Sequence, residues 1–352
     1  MILAGGAGAR FWPAGRRARP KQLLPIASEK TMLSETLERC AGLAPPERTF
    51  IVTNAEQVEA TRTECSSLPA EQVLAEPMMR NTAAAIGLAA ALLAQRDPDA
   101  VMMVMPADHV IRPREVFEAT FDAAATRAAE AGTLITVGIQ PVGPATGYGY
   151  IEGGEVVTEV GGHPVRKVLS FKEKPDAATA AGFLATGRFF WNSGTFVWKA
   201  SALMDALEAH LPGHFELLGA MGGALDRGEA ISAEDYARFE NVPIDIGVME
   251  KADNVEVIPG TFEWDDVGSW LSIDRLRRRD PQGNVVRGPH ATIDTENCIV
   301  IGSEGHLVAT VGLRDMIVVH TPDGTLVCPK DRAEDVRQVV ERLRADGLEE
   351  YL

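Results

Sequence analysis

The segment Leu3-Ala4-Gly5-Gly6-Ala7-Gly8-Ala9-Arg10, followed by Pro20-Lys21-Gln22, is the first place where the chain offers chemistry. An apolar run passes straight into glycines, which let the backbone take positive φ and let a phosphate or a base approach its N–H groups closely. Glycines alone describe a tight strand-to-helix turn equally well. Arg10 and Lys21 tilt the reading, because two cations beside a loop of backbone donors suit a polyphosphate. No Gly-Lys-Ser/Thr follows, so the loop is not a Walker A motif, and Phe11 stands where the dinucleotide fingerprint needs a glycine. Asp108 comes directly after the apolar run 101–105. In a wound α/β sheet ligands sit outside the carboxyl ends of strands, which makes Asp108 a candidate for chemistry; a helix-capping aspartate is the alternative. Far along the chain, Asp265 and Asp266 lie in Trp264-Asp265-Asp266-Val267-Gly268, and either could be a surface residue or a cap.

Regular elements must position these groups. Up to about residue 139, short apolar runs alternate with longer helical stretches. Segments 2–4, 49–53, 72–75, 101–105 and 133–138 are short and apolar or β-branched, as strands buried on both faces are. Segments 31–41, 56–67, 82–96 and 114–131 read as helices. The third of these is nearly all Ala, Leu and Ile, with Asn81 or Thr82 as its cap, and packs inside against the sheet. The alternation predicts an α/β, Rossmann-like doubly wound fold with a mostly parallel sheet. From 145 to about 279 the pattern is mixed, with hairpin-like strands at 148–152, 155–160 and 166–173. Between 288 and 329, short β-like runs separated by turns at 294–297, 303–305 and 322–324 predict a small all-β unit, a coil of short strands. Val336, Val339, Val340 and Leu343 recur at helical spacing, with Gly347 as the stop of a terminal helix. The expected division is a catalytic domain over 1–280 and a β unit with its helix over 281–352.

Composition limits the partners. With 34 Lys+Arg against 50 Asp+Glu the formal charge is −16, which argues against nucleic acid and anionic membranes. Any phosphate ligand must then be held by a few local cations. A hydrophobic content of 45% with 24% charged residues excludes disorder as the main state, and 352 residues suffice for two domains or one with an appendage. No apolar run reaches the ~18–20 residues that span a bilayer, and residues 1–8 lack a signal peptide's basic and long apolar regions. Cys40, Cys65, Cys298 and Cys328 lie far apart without a Cys-x-x-Cys pair, which argues against a zinc cage or disulfide framework and fits a reducing cytoplasm. His210 and His214 bracket Pro212-Gly213, which breaks any helix presenting both to one metal, and they are expected on the surface.

A series of motifs runs in order along the chain: Gly5-Gly6-x-Gly8-x-Arg10-x-x-Pro13, Pro20-Lys21-Gln22, Glu76-Pro77-x-x-Arg80-Asn81-Thr82, Pro106-Ala107-Asp108-His109, Thr146-Gly147-Tyr148-Gly149-Tyr150-Ile151, Phe171-x-Glu173-Lys174-Pro175, Trp191-Asn192-Ser193-Gly194, Ile244-Asp245-x-Gly247-Val248-Met249-Glu250-Lys251 and Trp264-x-Asp266-Val267-Gly268-Ser269-Trp270. The series spans nearly the whole chain and resembles the sugar-1-phosphate nucleotidyltransferases, with Trp12 and Gln22 of the mannose-1-phosphate guanylyltransferase variety.

The resemblance implies the nucleotidyltransferase fold with a mixed sheet, and a C-terminal unit like a left-handed β-helix. It implies attack by the phosphate of mannose 1-phosphate on the α-phosphorus of GTP, giving GDP-mannose and pyrophosphate, with Asp108 and Asp266 as ligands of Mg²⁺. That nucleophile is already ionised near neutral pH, so alignment and charge neutralisation do the catalysis without a general base. By the same analogy Arg10 and Lys21 hold the triphosphate and Lys174 binds the sugar phosphate. Glu173 accepts from sugar hydroxyls, with Asn192 as second reader and Gly147 and Gly149 allowing close approach, although a hairpin turn explains those glycines equally well. For the base, the backbone of Leu3, Ala4, Gly5 and Gly6 is expected in contact, with Gly8 also binding the nucleotide; Glu76 accepts guanine's donors, and Arg80 and Asn81 line the same edge. Trp191 and Trp198 are expected as core or pocket wall. Two departures stand out. Ala7 and Ala9 replace the family's usual hydroxyl residues, and the chain begins only two residues before Leu3, giving a very short first strand. The other readings are a nucleotidyltransferase for another hexose 1-phosphate or nucleotide, and a non-catalytic nucleotide-sugar-binding regulatory subunit. Retention of Arg10, Lys21, Asp108, Lys174 and Asp266 argues against the latter. An added isomerase activity is not expected, since no further domain follows the terminal helix, and the C-terminal unit offers a surface for a homodimer.

Overall fold

The alternation of short and long apolar runs becomes strand and helix in a computed structural model that describes residues 1–6 and 8–352, so that Ala7 lies outside the described residues. In chain order the first part comprises β1 (Ile2–Leu3), α1 (Met32–Cys40), β2 (Ile51–Asn54), α2 (Val58–Glu64), β3 (Val73–Glu76), α3 (Asn81–Arg96), β4 (Val101–Pro106), β5 (Val110–Arg112), α4 (Arg114–Ala131) and β6 (Leu134–Ile139). Each expected strand of this region forms within two residues of its expected limits, and β1 is as short as the sequence implied. The helix expected over 56–67 is shorter, because a 3₁₀ turn takes Ala55–Gln57 and α2 stops at Glu64.

The middle region supplies β7 (Tyr150–Val160), β8 (His163–Lys172), α5 (Ala177–Thr186), β9 (Phe189–Lys199), α6 (Ala200–His210), α7 (Pro212–Asp226), α8 (Ala233–Ala237), β10 (Val255–Gly260), β11 (Glu263–Asp265) and α9 (Leu271–Leu276). α3 buries Ala83 through Leu92, and its small side chains let α6 and α7 approach closely. At Gly87 an added Cβ would lie 2.6 Å from Leu218 Cδ1. Nine strands form one sheet in the order β3-β2-β1-β4-β9-β6-β10-β8-β7. The mixed sheet that the resemblance implies is what forms, whereas the alternation up to residue 139 by itself implied a mostly parallel one. β1 to β4 pair in parallel, as do β6 and β10, but β9 runs antiparallel between β4 and β6, and the β7–β8 hairpin closes the edge. β9 hides from sequence reading because Asn192-Ser193-Gly194 looks like a turn; it is a bulge, with Gly194 at φ 67° and a register shift opposite Thr136 and Gly138. The two strands expected at 148–152 and 155–160 are one, because Gly153-Gly154 continues the ladder with shifted register. The placement of His214 on the surface is corrected as well: it is buried in α7 against Phe239, 5.0 Å between ring centroids, while Pro212 does separate its helix from that of His210.

In the C-terminal part, Val285–Arg287, Ile299–Ile301 and Met316–Thr321 pair in parallel, and His290–Ile293 pairs in parallel with Val308–Val311. Strands stacked rung upon rung in this way make a β-helical coil, closed by the antiparallel hairpin to Gly324–Pro329. Its interior residues Val285, Ile299, Ile317 and Val319 share one hydrophobic cluster with Phe11, Trp12 and Trp270. The coil is therefore packed on the turn that follows the glycine loop. α10 (Val336–Ala345) follows, ended by Gly347 at φ 73°. Among the described residues no helix is long and apolar enough to cross a membrane.

Candidate active site

The glycine loop leaves β1 at the carboxyl edge of the sheet. Gly8 has φ 58°, and an added Cβ would sit 2.7 Å from the backbone nitrogen of Lys21, so no larger residue fits without moving that lysine. Lys21 opens a 3₁₀ turn, Lys21–Leu23, whose Gln22 is buried and donates from Nε2 to the carbonyl of Ala4. The lysine ammonium donates to Asp108 Oδ2 at 2.6 Å, to the carbonyl of Asp266 at 2.9 Å and to that of Val267 at 3.0 Å. Asp108 lies just past β4. Asp266 comes to it through a small ladder in which β11 pairs antiparallel with β5 and Asp265 faces Val110. Two carboxylates far apart in sequence thus converge because one stands just before and the other just after a strand of the same pair.

Of the two adjacent aspartates, Asp265 is structural. It accepts from the Val267 N–H at 2.8 Å and from Arg275 Nε at 2.6 Å. Asp266 faces the cavity, accepting from the Tyr148 hydroxyl at 2.8 Å. Val267, β-branched yet at φ 50°, carries backbone strain at this bend, and it turns its carbonyl onto Lys21. Gly8, Arg10, Lys21, Asp108 and Asp266 line one cavity of about 360 Å³. Burial works to raise the Asp108 carboxyl, but the Lys21 charge and the hydrogen bond it donates outweigh it and hold it below the ordinary range. His109 is driven down by burial and accepts from Trp264 Nε1 at 3.2 Å, which keeps it neutral. A larger cavity of about 700 Å³ lies between the first part and the coil. It contains none of these residues, and its Arg277 and Arg287 are spent on Glu29 and main-chain carbonyls.

A second cluster forms where β8 ends. Lys174 has φ 45° and pairs with its neighbour Glu173 at 2.7 Å. Gly149 makes room for that glutamate, since an added Cβ would lie 2.5 Å from Glu173 Oε2, whereas Gly147 faces open space. Asn192 on β9 donates from Nδ2 to Asp245 Oδ1 at 2.7 Å and accepts from the Gly194 N–H at 3.1 Å. Asp245 opens a π-helical turn, Asp245–Met249, and burial together with the charge of Glu173 pushes its carboxyl up to about 6. Sequence reading quoted Asp245 within a motif without giving it a role. The signal was an acid standing in an otherwise apolar run. Trp191 is buried and, with Tyr148 and Trp264, walls a neighbouring cavity, while Trp198 is core.

The third cluster surrounds the other side of the loop. Glu76 ends β3, is 6% exposed, and accepts from the Tyr236 hydroxyl. Its Oε2 lies 3.7 Å from where a Cβ on Gly5 would be, so the acid sits directly beside the loop. Burial lifts its carboxyl to about 7, against the Tyr236 bond that favours ionisation. Arg80 Nε is buried without a partner among the described residues. Asn81, at φ 65°, turns its side chain back to accept from the Thr82 N–H at 3.0 Å. The Leu3 carbonyl accepts from Ala107, the Ala4 N–H donates to Val52, and the Ala4 carbonyl is taken by Gln22 and Thr53, so those groups of Leu3 and Ala4 serve the sheet.

The family model described as nucleotidyl transferase matches residues 1–282, and one described as a MannoseP isomerase/GMP-like beta-helix domain matches 288–343. The chain is 39% identical to the alginate biosynthesis protein AlgA of Pseudomonas aeruginosa, over 99% of this chain and 73% of that protein. It is 36% identical to a mannose-1-phosphate guanylyltransferase of Escherichia coli, over 100% of this chain and 75% of that protein. The crystal structure of a protein described as a mannose-1-phosphate geranyltransferase, from Thermus thermophilus, superposes with a TM-score of 0.86 at 36% identity, covering 97% of this chain and 98% of that one. The chain belongs to the nucleotidyl transferase family of enzymes.

Proposed function

We propose that the chain transfers GMP from GTP to α-D-mannose 1-phosphate, giving GDP-mannose and pyrophosphate, with Mg²⁺ as its cofactor. The observation that carries this reading is the meeting of Arg10, Lys21, Asp108 and Asp266 around one cavity of about 360 Å³ beside the glycine loop. The relatives' names supply the choice of sugar and nucleotide.

In the reaction an oxygen of the sugar phosphate bonds to the α-phosphorus, and the bond from that phosphorus to the bridging oxygen of the β-phosphate breaks. No proton needs to be removed from the nucleophile. The protein's task is to hold two anions in line and to neutralise charge on the departing pyrophosphate. Among the described residues no group of three or more His, Cys, Asp and Glu is placed to hold a metal. Two aspartates open to phosphate oxygens and water are nonetheless the donor set that Mg²⁺ takes in phosphoryl-transfer sites, so Asp108 and Asp266 fit as its holders. When bound there, Mg²⁺ would supply Lewis-acid charge stabilisation at the phosphates.

Lys21 has three donors, and all three are engaged, by Asp108 and by two carbonyls. To donate to phosphate it must release one, and the Asp108 carboxylate is the acceptor a cation also seeks. Arg10, half-exposed at the cavity mouth, is placed to meet the triphosphate, while Glu173, Lys174 and Asn192 bind and orient the sugar phosphate. A matrix of four nucleoside triphosphates against several hexose 1-phosphates, scored by pyrophosphate release with Mg²⁺, tests the reading. GTP with mannose 1-phosphate should lead. Preference for another pair would reassign the substrates, and no release with any pair would favour a non-catalytic nucleotide-sugar-binding subunit.

A further inference from the structure

The C-terminal part reaches around to the glycine loop from outside. Glu334, in the 3₁₀ segment Lys330–Asp335, lies 2.6 Å from Arg10 Nε. Three residues later Arg337, in the first turn of α10, lines the same cavity of about 360 Å³ as Lys21 and the two aspartates. Further on, Glu349 pairs with Arg17 at 2.9 Å, and the carbonyl of Tyr351 accepts from Trp12 Nε1 at 2.9 Å and from Arg16. One face of the nucleotide loop is thus braced by the tail, and its charged edge is shared with the segment 334–337.

We propose that the C-terminal part completes the triphosphate site. Arg337 is a further cation for the β- and γ-phosphates, and Glu334 is a place-holding anion that the triphosphate displaces from Arg10. The proposal rests on the nucleotidyl-transfer reading above. Arg10 is the cation at the cavity mouth, and here it faces a carboxylate. A carboxylate and a triphosphate beside one guanidinium repel each other, so one must leave. Glu334 is the more exposed of the pair, at 62% against 45%, and an exposed surface ion pair is held weakly enough to open. Among the described residues Arg337 is tied only to Glu341, at 2.9 Å on the same exposed helix face, a pair of the same weak kind. Arg337 already lines the cavity in this conformation, so giving up Glu341 is all that its guanidinium needs to meet an anion there. In a chain of net charge −16, a cation contributed from a second unit is what a highly charged anion requires locally.

The test is calorimetric titration of GTP with Mg²⁺ in the absence of sugar, alongside pyrophosphate release. Arg337→Ala should weaken GTP binding about five-fold, the loss of one exposed charge-assisted contact, with Arg337→Lys recovering part of it. The KM for mannose 1-phosphate should stay within about two-fold, since that site holds none of these residues. Glu334→Gln should tighten GTP binding about two-fold by removing the competing anion. Inorganic pyrophosphate, titrated alone, should show the same order of affinities. Unchanged GTP binding in Arg337→Ala, or equal losses for both substrates, overturns the role of Arg337. Weaker binding in Glu334→Gln overturns the displaced anion and makes Glu334 an orienting partner of Arg10. If the wild type binds GTP yet releases no pyrophosphate with any hexose 1-phosphate, the catalytic reading falls, while the titrations still decide this proposal.

Discussion

Replacing Glu76 by glutamine separates a buried acid's cost to folding from the base-reading role proposed for it. The carboxyl is raised from 4.5 to about 7, chiefly by burial, and the side chain is almost fully enclosed. The folded state therefore holds the proton more tightly than the unfolded state does. Below pH 4.5 both states are protonated and the acid costs nothing. Stability falls as pH rises from 4.5 through 7 and levels off above that, reaching a loss of about 3 kcal/mol at ~1.4 kcal/mol per pH decade. A glutamine side chain at this position would keep an acceptor for the Tyr236 hydroxyl and carry no charge. Urea unfolding of both proteins should show Glu76→Gln more stable by about 1 kcal/mol at about pH 5 and about 3 kcal/mol at about pH 8. At the same time, if the ionised acid receives guanine's donors, the wild type's affinity for GTP should improve between about pH 6 and 8 relative to the variant's. Parallel stability curves for the two proteins would refute the raised carboxyl. A pH-independent affinity ratio would remove Glu76 from the base.

Lys21→Met leaves the half-buried Asp108 without its counter-charge, which lets desolvation raise that carboxyl; pyrophosphate release should fall about a hundred-fold. The partial exposure of Asp108 should limit the loss in urea stability to about 2 kcal/mol, and turnover within about three-fold of wild type would deny the lysine its role. Asp266→Asn keeps an acceptor for Tyr148, so melting temperature should hardly move while turnover collapses; equal losses of both would make the residue structural. Gly8→Ala forces a Cβ to 2.7 Å from the Lys21 backbone at a left-handed φ, and should raise the GTP KM at a cost of about 1–2 kcal/mol in stability, read by steady-state kinetics and urea unfolding. Asp245→Ala removes the acceptor that orients Asn192 and should raise the KM for mannose 1-phosphate about five-fold while leaving that for GTP alone.

Much of this molecule was legible in its sequence wherever one physical rule acts alone. Buried parallel strands and the Ala-rich α3 declare themselves by composition, and α4 has the limits its helical run predicts. The glycine loop with Arg10 and Lys21 marks itself by residue types that otherwise have no reason to adjoin. β9 did not, because its bulge wears the composition of a turn. Asp245 did not, because its meaning depends on Asn192 lying across a strand. The convergence of Asp108 with Asp266 depends on the β5–β11 ladder, three pairs long, which no local pattern announces. That all three donors of Lys21 are already taken follows from tertiary geometry alone.

The clamp of the tail on the glycine loop also orders events during synthesis. Trp12 and Arg16 emerge from the ribosome 339 and 335 residues before the Tyr351 carbonyl that receives their N–H groups. Until that carbonyl arrives, both donors must be hydrated, and the hydrophobic cluster of Phe11 and Trp12 lacks the coil that covers it. All nine strands of the main sheet are therefore made before the turn that follows the glycine loop gains its full cover.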